Sequence, residues 1–518
     1  MADEWFEFTY SEVGRKARGI AAFLASKLPR GSKVAILSKN CAEWIISDLA
    51  IMMGGFVSVP IYPTLSSDGI RPLIQHSGAK LIFLGKLDTF EKQRSGISDD
   101  LARISFDKYG ISEGTLLSEI PSSEDTPTVV PGNELATIMY SSGTTGVPKG
   151  VMLTHGAFGF VGEHVARDLG ITASDRFFSY LPLSHIAERA LMEMVVLSSG
   201  AMISFTESLD KFAENLQHEQ PTIFGGVPRI YSKFQEGILR KLGQKKLNTL
   251  LRIPGVSSLI KKTLKKKLGL AKARVIVSGA APTPVTLLHW FKRIGIHIRE
   301  TYGMTENTAF SHSNFKEVRI GTVGQPWPEI DCKLSPDGEI LVRHPALMLG
   351  YYNDEATTSM VFTADGFLRT GDKGDIDSDG FLTITGRLKD QFKTEKAKFV
   401  APAQIELKLL SNPDIENACV VGEGLPQPIA LIVLSAIGLA KGNEEIAESL
   451  KSTLKDVNAT LENYERLEKI VVMKDGWTTD NGLLTPSLKL KRAELEKRYF
   501  SLYSQWFSNR ELITWSQS

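Results

Sequence analysis

The run SSGTTGVPKG, residues 141–150, combines glycines, hydroxyl side chains and one lysine. Small residues can take unusual backbone angles, so such a loop can wrap its N–H groups around phosphate oxygens. The run departs from the strict form GxxxxGKS/T, because Pro148 precedes Lys149 and Gly150 follows it. An ordinary glycine-rich turn is the alternative. We expect a phosphate-binding loop whose contacts come from Ser141, Ser142, Gly143, Thr144, Thr145, Gly146 and Lys149.

Two further segments place carboxylates beside glycines: ETYGMTE, residues 300–306, and RTGDKG, residues 369–374. Carboxylate oxygens are ligands of hard cations such as Mg²⁺ and accept strong hydrogen bonds. The nearby DIDSDG, residues 375–380, imitates the start of a calcium loop. Position twelve of that loop would be Gly386 instead of glutamate, and flanking helices are missing. We therefore interpret DIDSDG as a hairpin turn.

The elements that must position these segments alternate along the chain. Apolar bursts of strand length, such as KVAIL, RFFSY, RVIVS and IHIRE, are interleaved with amphipathic stretches such as CAEWIISDLAIMM and PVTLLHWFKRI. This alternation predicts βαβ units with largely parallel sheets. The phosphate loop itself is expected to join strand to strand, since Pro148 disfavours helix and GVMLT follows.

The pattern changes twice further along. After about residue 320, short strands separated by Asp/Gly turns predict a small antiparallel sheet or barrel. Beyond Lys389 the chain becomes an α+β mixture and ends in SLKLKRAELEKRYFSLYSQWF, which is predicted to be helical. We predict an α/β fold with a large N-terminal domain of several subdomains, 1–388, containing βαβ sheets and a small β-barrel-like part. A smaller α+β C-terminal domain, 389–518, follows.

Composition narrows the class of protein. A chain of 518 residues is too long for a single hydrophobic core, so at least two domains are expected. A net charge of +1 argues against a nucleic-acid partner. The three cysteines are scattered, which favours a reducing compartment, and the acidic start lacks the features of a signal peptide. The sequence thus predicts a cytoplasmic protein, with peripheral contact at the inner or cytosolic membrane face left open.

One segment, residues 240–274, has an unusual charge. It holds twelve Lys and Arg and no Asp or Glu, interleaved with leucine in LIKKTLKKKLGL. A basic amphipathic helix of this kind can lie on an anionic membrane surface. A solvated basic face on a helix whose leucines enter the core is the equally weighted alternative.

Taken together, these segments resemble the adenylate-forming, AMP-binding enzymes, and within them the chain most resembles long-chain fatty acyl-CoA synthetases. The resemblance runs from TYSEVGRKARGIAAFL to LTPSLKLKR, almost the whole chain. It implies a ligase that activates a medium- or long-chain fatty acid with ATP and Mg²⁺ to acyl-AMP and then forms a thioester with CoA. It also implies that the C-terminal domain is mobile, and a homodimer is left open.

The resemblance implies roles for residues on the nucleotide side. Tyr302 in TYG would be a wall for adenine, Thr305 would donate to the α-phosphate and Glu306 would bind Mg²⁺. Asp372 would accept hydrogen bonds from the ribose, and Arg387 would contact ribose or phosphate. The nucleotide-binding set is completed by Gly279, Ala280 and Ala281 of SGAAP, and by Gly303.

Other implied roles concern the acyl group and the domain movement. Lys489 of TPSLKLKR would be the mobile catalytic lysine, and Lys389 the hinge. His185 of LPLSHIAER would orient the substrate carboxylate. Gly226 and Tyr231 of GGVPRIY would line the acyl tunnel, although a core tyrosine is an equal alternative at Tyr231.

Two positions depart from the family pattern. Ala397 and Leu488 stand where relatives usually carry glycine. We expect Ala397 to be tolerated if its φ is negative. The departure at Ala397, on the path of the CoA thiol in the family, leaves a carrier-protein thiol open as the acceptor. A catalytically silent nucleotide- or lipid-binding protein on a membrane is the remaining alternative.

Overall fold

The computed structural model describes residues 6–125, 128–141, 149–485 and 488–516. It contains mixed parallel and antiparallel sheets flanked by helices. Short 3₁₀ turns complete the connections: Arg94–Gly96, Asp107–Tyr109, Leu117–Glu119, Thr305–Asn307, Leu388–Asp390 and Phe500–Leu502.

The first sheet has eight strands and mostly parallel pairing. Its first seven strands are β1 Lys33–Leu37, β2 Val57–Ile61, β3 Leu81–Leu84, β4 Ala102–Ser105, β5 Thr115–Leu116, β6 Leu135–Ser141 and β7 Lys149–Thr154. The helices of this region are α1 Tyr10–Lys27, α2 Ala42–Met53, α3 Ser67–Ser77, α4 Phe90–Gln93 and α5 His155–Asp168. Side chains alternate across β1, so Val34 packs with the core under α1 and α2, whereas Ala35 packs with the core under α3.

The second sheet has seven strands and sits between two further cores. Its strands are β8 Arg176–Ser179, β9 Met202–Phe205, β10 Ile223–Gly226, β11 Val275–Ser278, β12 Arg299–Tyr302, β13 His312–Ser313 and β14 Gln325–Pro326. Its helices are α6 Ile186–Glu188, α7 Val195–Ser199, α8 Phe212–Glu219, α9 Pro228–Leu242, α10 Gln244–Arg252, α11 Val256–Lys267 and α12 Val285–Arg293. A π-helical turn, Arg189–Met194, joins α6 to α7.

The Asp/Gly-rich region forms a four-stranded antiparallel sheet, as its turn residues predict. The elements here are β15 Asp331–Leu334, β16 Glu339–Arg343, β17 Gly350–Tyr351, α13 Glu355–Val361, β18 Leu368–Ile376 and β19 Leu382–Arg387. Strand β17 lies outside this sheet and pairs with β7, as the eighth strand of the first sheet. DIDSDG is the β18–β19 hairpin turn, where Asp377 Oδ1 accepts from the N–H groups of Asp379 and Phe381.

The C-terminal part has its own core around a four-stranded sheet. The four strands of this sheet are β22 Ile415–Val421, β23 Ile429–Leu434, β24 Ile470–Val472 and β25 Ile513–Trp515. Before them, β20 Phe392–Lys393 and β21 Phe399–Val400 form a separate two-stranded sheet. Its helices are α14 Pro402–Leu409, α15 Ala436–Leu439, α16 Asn443–Asn458, α17 Arg492–Tyr499 and α18 Tyr503–Ser508. Across the described ranges, no helix combines the length and the apolar character needed to cross a membrane.

Two predicted elements are shifted. The strand predicted over IHIRE begins only at Arg299, because β12 pairs with the end of β11. The predicted C-terminal helix begins at Arg492, so the prediction of helix at Lys489 is wrong. Leu488 has a φ of +61°, outside the right-handed helical region, which is incompatible with a helix continuing through it.

Candidate active site

The end of β12 and the β18–β19 hairpin meet at Asp372. Its carboxylate accepts a hydrogen bond from the Tyr302 hydroxyl at 2.7 Å and from Arg387 Nε at 3.0 Å. Antiparallel pairing sets Asp372 directly opposite Arg387. Burial raises the pKa of Tyr302, and the Asp372 carboxylate raises it further, so the phenol remains a donor. Three predicted site residues from separate segments thus form one hydrogen-bonded group.

Glu306 lies on the 3₁₀ turn that follows β12 and is 8% exposed. Its Oε1 accepts a hydrogen bond from the Tyr351 hydroxyl at 2.9 Å. Lys149 Nζ lies 5.0 Å from the centre of the same tyrosine ring. Tyr351 therefore connects the carboxylate to the lysine that ends the predicted phosphate loop. The sequence analysis missed Tyr351, because no local spacing links position 351 to either partner.

The predicted phosphate loop begins and ends on two paired strands. Ser141 on β6 pairs with Lys149 on β7 in an antiparallel register, which confirms the expected strand-to-strand connection. Residues 142–148 lie outside the described residues. The predictions for Ser142, Gly143, Thr144, Thr145 and Gly146 fall there.

Lys489 reaches the site from the C-terminal part of the chain. It lies in a turn closed by Thr485, whose Oγ1 accepts from the Lys489 N–H at 3.0 Å. Although the residue keeps exposed surface, desolvation of its ammonium lowers the pKa of Lys489, and Arg387 lowers it further, while Asp372 and Glu306 oppose the shift. The charges of Arg387, Asp372 and Glu306 therefore all act on the Lys489 ammonium.

His185 faces the same lysine. Burial lowers the pKa of His185 to about 3, and the Lys489 charge contributes in the same direction. The imidazole is neutral near pH 7, and its Nδ1 accepts from the Ala187 N–H at the start of α6. The Lys489 charge thus acts on His185, although the two positions are far apart in the sequence.

The turns beside β11 and β12 have little free space. A Cβ at Gly303 would lie 2.4 Å from the carbonyl carbon of Ala309, and one at Gly279 would lie 2.9 Å from Thr301 Cγ2. Ala280 has a φ of +66°, and Ala281 after it is exposed. Half-buried Thr305 opens the 3₁₀ turn that carries Glu306. These backbone segments flank the Tyr302–Asp372 contact.

Tyr231 has the contacts of a core residue. It is fully buried, and its hydroxyl donates to the Val277 carbonyl at 2.7 Å. A Cβ at Gly226 would lie 2.9 Å from the Tyr231 ring, so the two residues pack directly on each other. These contacts favour the core interpretation, and a role in an acyl tunnel stays a prediction.

A fully buried ion pair connects elements that flank the site. Arg189 Nη2 lies 2.7 Å from Asp48 Oδ2, and Arg189 Nη1 donates to Thr137 Oγ1 at 2.6 Å. The pair ties α2 and β6, the strand that enters the phosphate loop, to the π-helical turn after His185. The sequence analysis missed it, because a basic residue in an apolar helix gives no signal of its distant partner.

The two departures from glycine occupy strained backbone. Ala397 has a φ of +57° in the β20–β21 turn, so the condition under which the alanine would be tolerated, a negative φ, is not met. With Leu488 at +61°, both residues take the left-handed conformation that glycine adopts without strain. Lys389, the predicted hinge, lies in the 3₁₀ turn Leu388–Asp390 that follows β19.

Glu306 provides a carboxylate that fits Mg²⁺ in its ordinary role in nucleotide sites. Mg²⁺ is usually held by one or two carboxylates together with water and substrate phosphates. Within the described segments no group of three or more His, Cys, Asp or Glu side chains could hold a metal ion alone. A Mg²⁺ ion that enters with a nucleotide fits this donor set.

The chain matches two family models. Residues 1–352 match the AMP-binding enzyme model, and residues 389–511 match the AMP-binding enzyme C-terminal domain. The division of the chain at 388/389 stays a prediction.

Curated relatives and solved structures were also found. The chain is 29% identical to the long-chain-fatty-acid–CoA ligase FadD15 of Mycobacterium bovis, over 96% of this chain and 92% of that one. It is 29% identical to the peroxisomal long chain acyl-CoA synthetase 6 of Arabidopsis thaliana, over 95% and 80%. The A domain of a carboxylic acid reductase from Segniliparus rugosus, solved with AMP, superposes with a TM-score of 0.77 at 21% identity, over 96% and 87%. That likeness shows the fold alone.

Proposed function

The chain belongs to the AMP-binding enzyme family, and from this premise we propose that it joins a medium- or long-chain fatty acid to CoA at the expense of ATP. The observation that carries the proposal is the hydrogen-bonded group of Tyr302, Asp372 and Arg387 at the end of β12, which Glu306 follows on its 3₁₀ turn. The charges of Arg387, Asp372 and Glu306 also act on Lys489. A nucleotide with its reacting phosphate at the centre of these groups would meet a hydroxyl, two carboxylates and two cations.

The first half-reaction would be adenylation. A carboxylate oxygen of the fatty acid attacks the α-phosphorus of ATP, the bond to the bridging oxygen of the β-phosphate breaks, and pyrophosphate leaves. Lys489 and Thr305 would offset the negative charge that develops on the α-phosphate oxygens. Asp372 and Arg387 would hold the ribose, and neutral His185 would orient the incoming carboxylate. Mg²⁺ on Glu306, when bound with ATP, supplies further positive charge to the phosphates.

The second half-reaction would form the thioester. The sulfur of CoA attacks the acyl carbon of acyl-AMP, the thiol proton is lost, and AMP leaves as the carbon–oxygen bond breaks. The charges of Asp372 and Glu306 act on Lys489 in this arrangement, which supports a turn of the small domain about Lys389 before CoA approaches. Adenylation makes this exchange feasible because AMP is a far better leaving group than oxide.

The positive φ of Ala397 supports an alternative to CoA as the acceptor of the acyl group. A strained alanine replaces glycine in the β20–β21 turn, which resembles the loop beside the CoA path. A carrier-protein thiol in place of CoA would require the same adenylation chemistry. The proposed adenylation is therefore the same in both cases, and only the thiol that accepts the acyl group differs.

The testing experiment measures pyrophosphate release over a series of fatty acids from C8 to C18, with and without CoA. We expect release that depends on the fatty acid, and AMP and acyl-CoA that accumulate together when CoA is present. Acyl-AMP that accumulates unchanged in the presence of CoA would favour the carrier acceptor. ATP binding without pyrophosphate release at any chain length would contradict the proposal and favour a silent binding protein.

We further propose a peripheral membrane contact through residues 240–274. The segment is divided between the end of α9, α10 and α11, and Leu247 and Leu264 enter the core. Ile253, in the turn between α10 and α11, is 43% exposed, and Leu259 is 65% exposed. The same segment also carries exposed bases: Lys245, Lys246, Arg252, Lys262, Lys266 and Lys267. Apolar and basic side chains exposed on one segment suit an anionic bilayer.

Co-sedimentation with phosphatidylserine vesicles tests this contact. Binding should weaken as salt rises, since exposed charges are screened. It should fall when Lys261, Lys262, Lys265, Lys266 and Lys267 become glutamine, and it should survive loss of exposed Lys80 and Lys92. Equal binding by the wild type, the five-lysine variant and the control variant would contradict the membrane contact and favour a solvated basic face.

A cytoplasmic location and a homodimer also remain proposals, and light scattering of the purified chain tests the latter.

A further inference from the structure

Helix α9 carries an ion pair to the C-terminal part of the chain. Arg229, at the start of the helix, forms a salt bridge through Nη2 with Glu416 Oε1 on β22. The two side chains are 37% and 32% exposed, so water still reaches the pair. The contact links the large and small domains through residues that are far in the sequence from Lys389, the predicted hinge.

Glu236 faces the same carboxylate from further along α9. It lies two helical turns after Arg229, on the same face. Partial burial raises the pKa of Glu236, and the Glu416 charge raises it further, while Arg240, Lys233 and Arg229 oppose the shift. Glu416 therefore meets an attractive partner and a repulsive one on a single helix.

Helix α9 is anchored through the face opposite to the one that bears both residues. Tyr231, between them, is fully buried and donates its hydroxyl to the Val277 carbonyl of β11. On the other side, Ile415, next to Glu416, packs in the core of the small domain. Neither partner can follow the other if the small domain moves, so domain movement must break the Arg229–Glu416 contact.

The charges that act on Lys489 indicate which placement of the small domain goes together with the Arg229–Glu416 ion pair. The carboxylates of Asp372 and Glu306 oppose the lowering of the pKa of Lys489, so they act on its ammonium while Arg229 and Glu416 are paired. Both features belong to one placement of the small domain. The ion pair thus stabilises the placement that presents Lys489 to the reacting phosphate.

We propose that Arg229 and Glu236 are positioning residues that set the lifetime of the docked small domain, Arg229 by holding Glu416 and Glu236 by repelling it. The consequence for catalysis rests on the proposed two-step function. Docking favours adenylation and undocking favours thioester formation, so the two residues have opposite effects on each half-reaction. Exposed pairs of this kind change an equilibrium by about two- to fivefold.

The test separates the half-reactions. Palmitate-dependent exchange of pyrophosphate into ATP reports adenylation, and acyl-CoA formed from supplied palmitoyl-AMP reports thioester formation. R229Q should slow the exchange about two- to fivefold and leave thioester formation equal or faster, and E236Q should do the reverse. The double variant R229E/E416R should recover exchange, because the arginine placed on β22 would then face two glutamates on α9. K451Q, which removes an exposed ion pair with Glu448 inside the small domain, is the matched control and should change neither rate.

A second readout does not depend on activity. Carbodiimide labelling of the intact enzyme, followed by digestion and mass spectrometry of the peptide that contains Glu416, measures how often the small domain leaves α9. Labelling should rise in R229Q and fall in E236Q. If these shifts appear although no fatty acid supports exchange, the proposed function fails and the docking pair stands. Changes of the same sign in R229Q and E236Q, or no recovery in the charge-swapped variant, would overturn the proposal.

Discussion

Replacing Asp372 by asparagine tests the nucleotide site through its most connected residue. The Asp372 carboxylate is 6% exposed and accepts from both the Tyr302 hydroxyl and Arg387 Nε. Asparagine is uncharged and offers only one acceptor oxygen, so a ribose that donates to the Asp372 carboxylate would lose one charge-assisted hydrogen bond. A hydrogen bond to a charged group contributes about 1.5–3 kcal/mol.

The free-energy change translates into affinity. A loss of about 1.5–3 kcal/mol corresponds to a decrease of roughly 10- to 150-fold in affinity for ATP or AMP. The KM for the fatty acid should change little, because Asp372 would contact only the ribose. Calorimetric titration with AMP and initial rates at varied ATP measure both quantities.

The matched control is Asp379→Asn, an exposed acid in the turn of the same hairpin that pairs with Arg319. It should bind AMP like the wild type. If Asp372→Asn, with an unchanged circular dichroism spectrum, also binds AMP within twofold of the wild type, the assignment of the ribose site is refuted.

Three further predictions concern other parts of the cleft and its surroundings. Lys489→Met should slow pyrophosphate exchange by about 10²–10³, the usual cost of losing one group that stabilises developing charge, and leave acyl transfer from supplied acyl-AMP within threefold. Ala397→Gly should be more stable than Ala397→Val by more than about 1 kcal/mol in guanidinium unfolding, since valine adopts a positive φ at greater cost. Burial lowers the pKa of His344 to about 4, so the unfolded chain takes up a proton below about pH 6.5 that the folded chain does not, and stability falls as the pH decreases. His344→Gln should remove about 2 kcal/mol of the loss between pH 7 and pH 5 in thermal unfolding, and an identical loss in both proteins would contradict this.

Local patterns were sufficient for most of the architecture. The strand at Lys33–Leu37 and the helix at Ala42–Met53 follow directly from apolar runs and helical periodicity. The hairpin at Asp377–Gly380 follows from its turn residues. The helix predicted over Lys489 failed because Leu488 takes a positive φ, and tertiary contacts rather than propensity decide that conformation.

The site was predicted in part for a different reason. Tyr302, Glu306 and Asp372 belong to short runs that carry a family resemblance, so their types and positions could be transferred. Tyr351 and Glu416 belong to no such run. Their roles arise from contacts between segments far apart in the chain, which no local pattern encodes.

The central claim is that the fatty acid is activated by direct attack of its carboxylate on the α-phosphorus of ATP. Turnover with palmitate labelled in both carboxyl oxygens by ¹⁸O tests it most directly. Mass spectrometry should find one ¹⁸O atom in each AMP formed, because the oxygen that bonds to phosphorus leaves with AMP. Unlabelled AMP alongside acyl-CoA, or label in inorganic phosphate with ADP as the nucleotide product, would contradict the account.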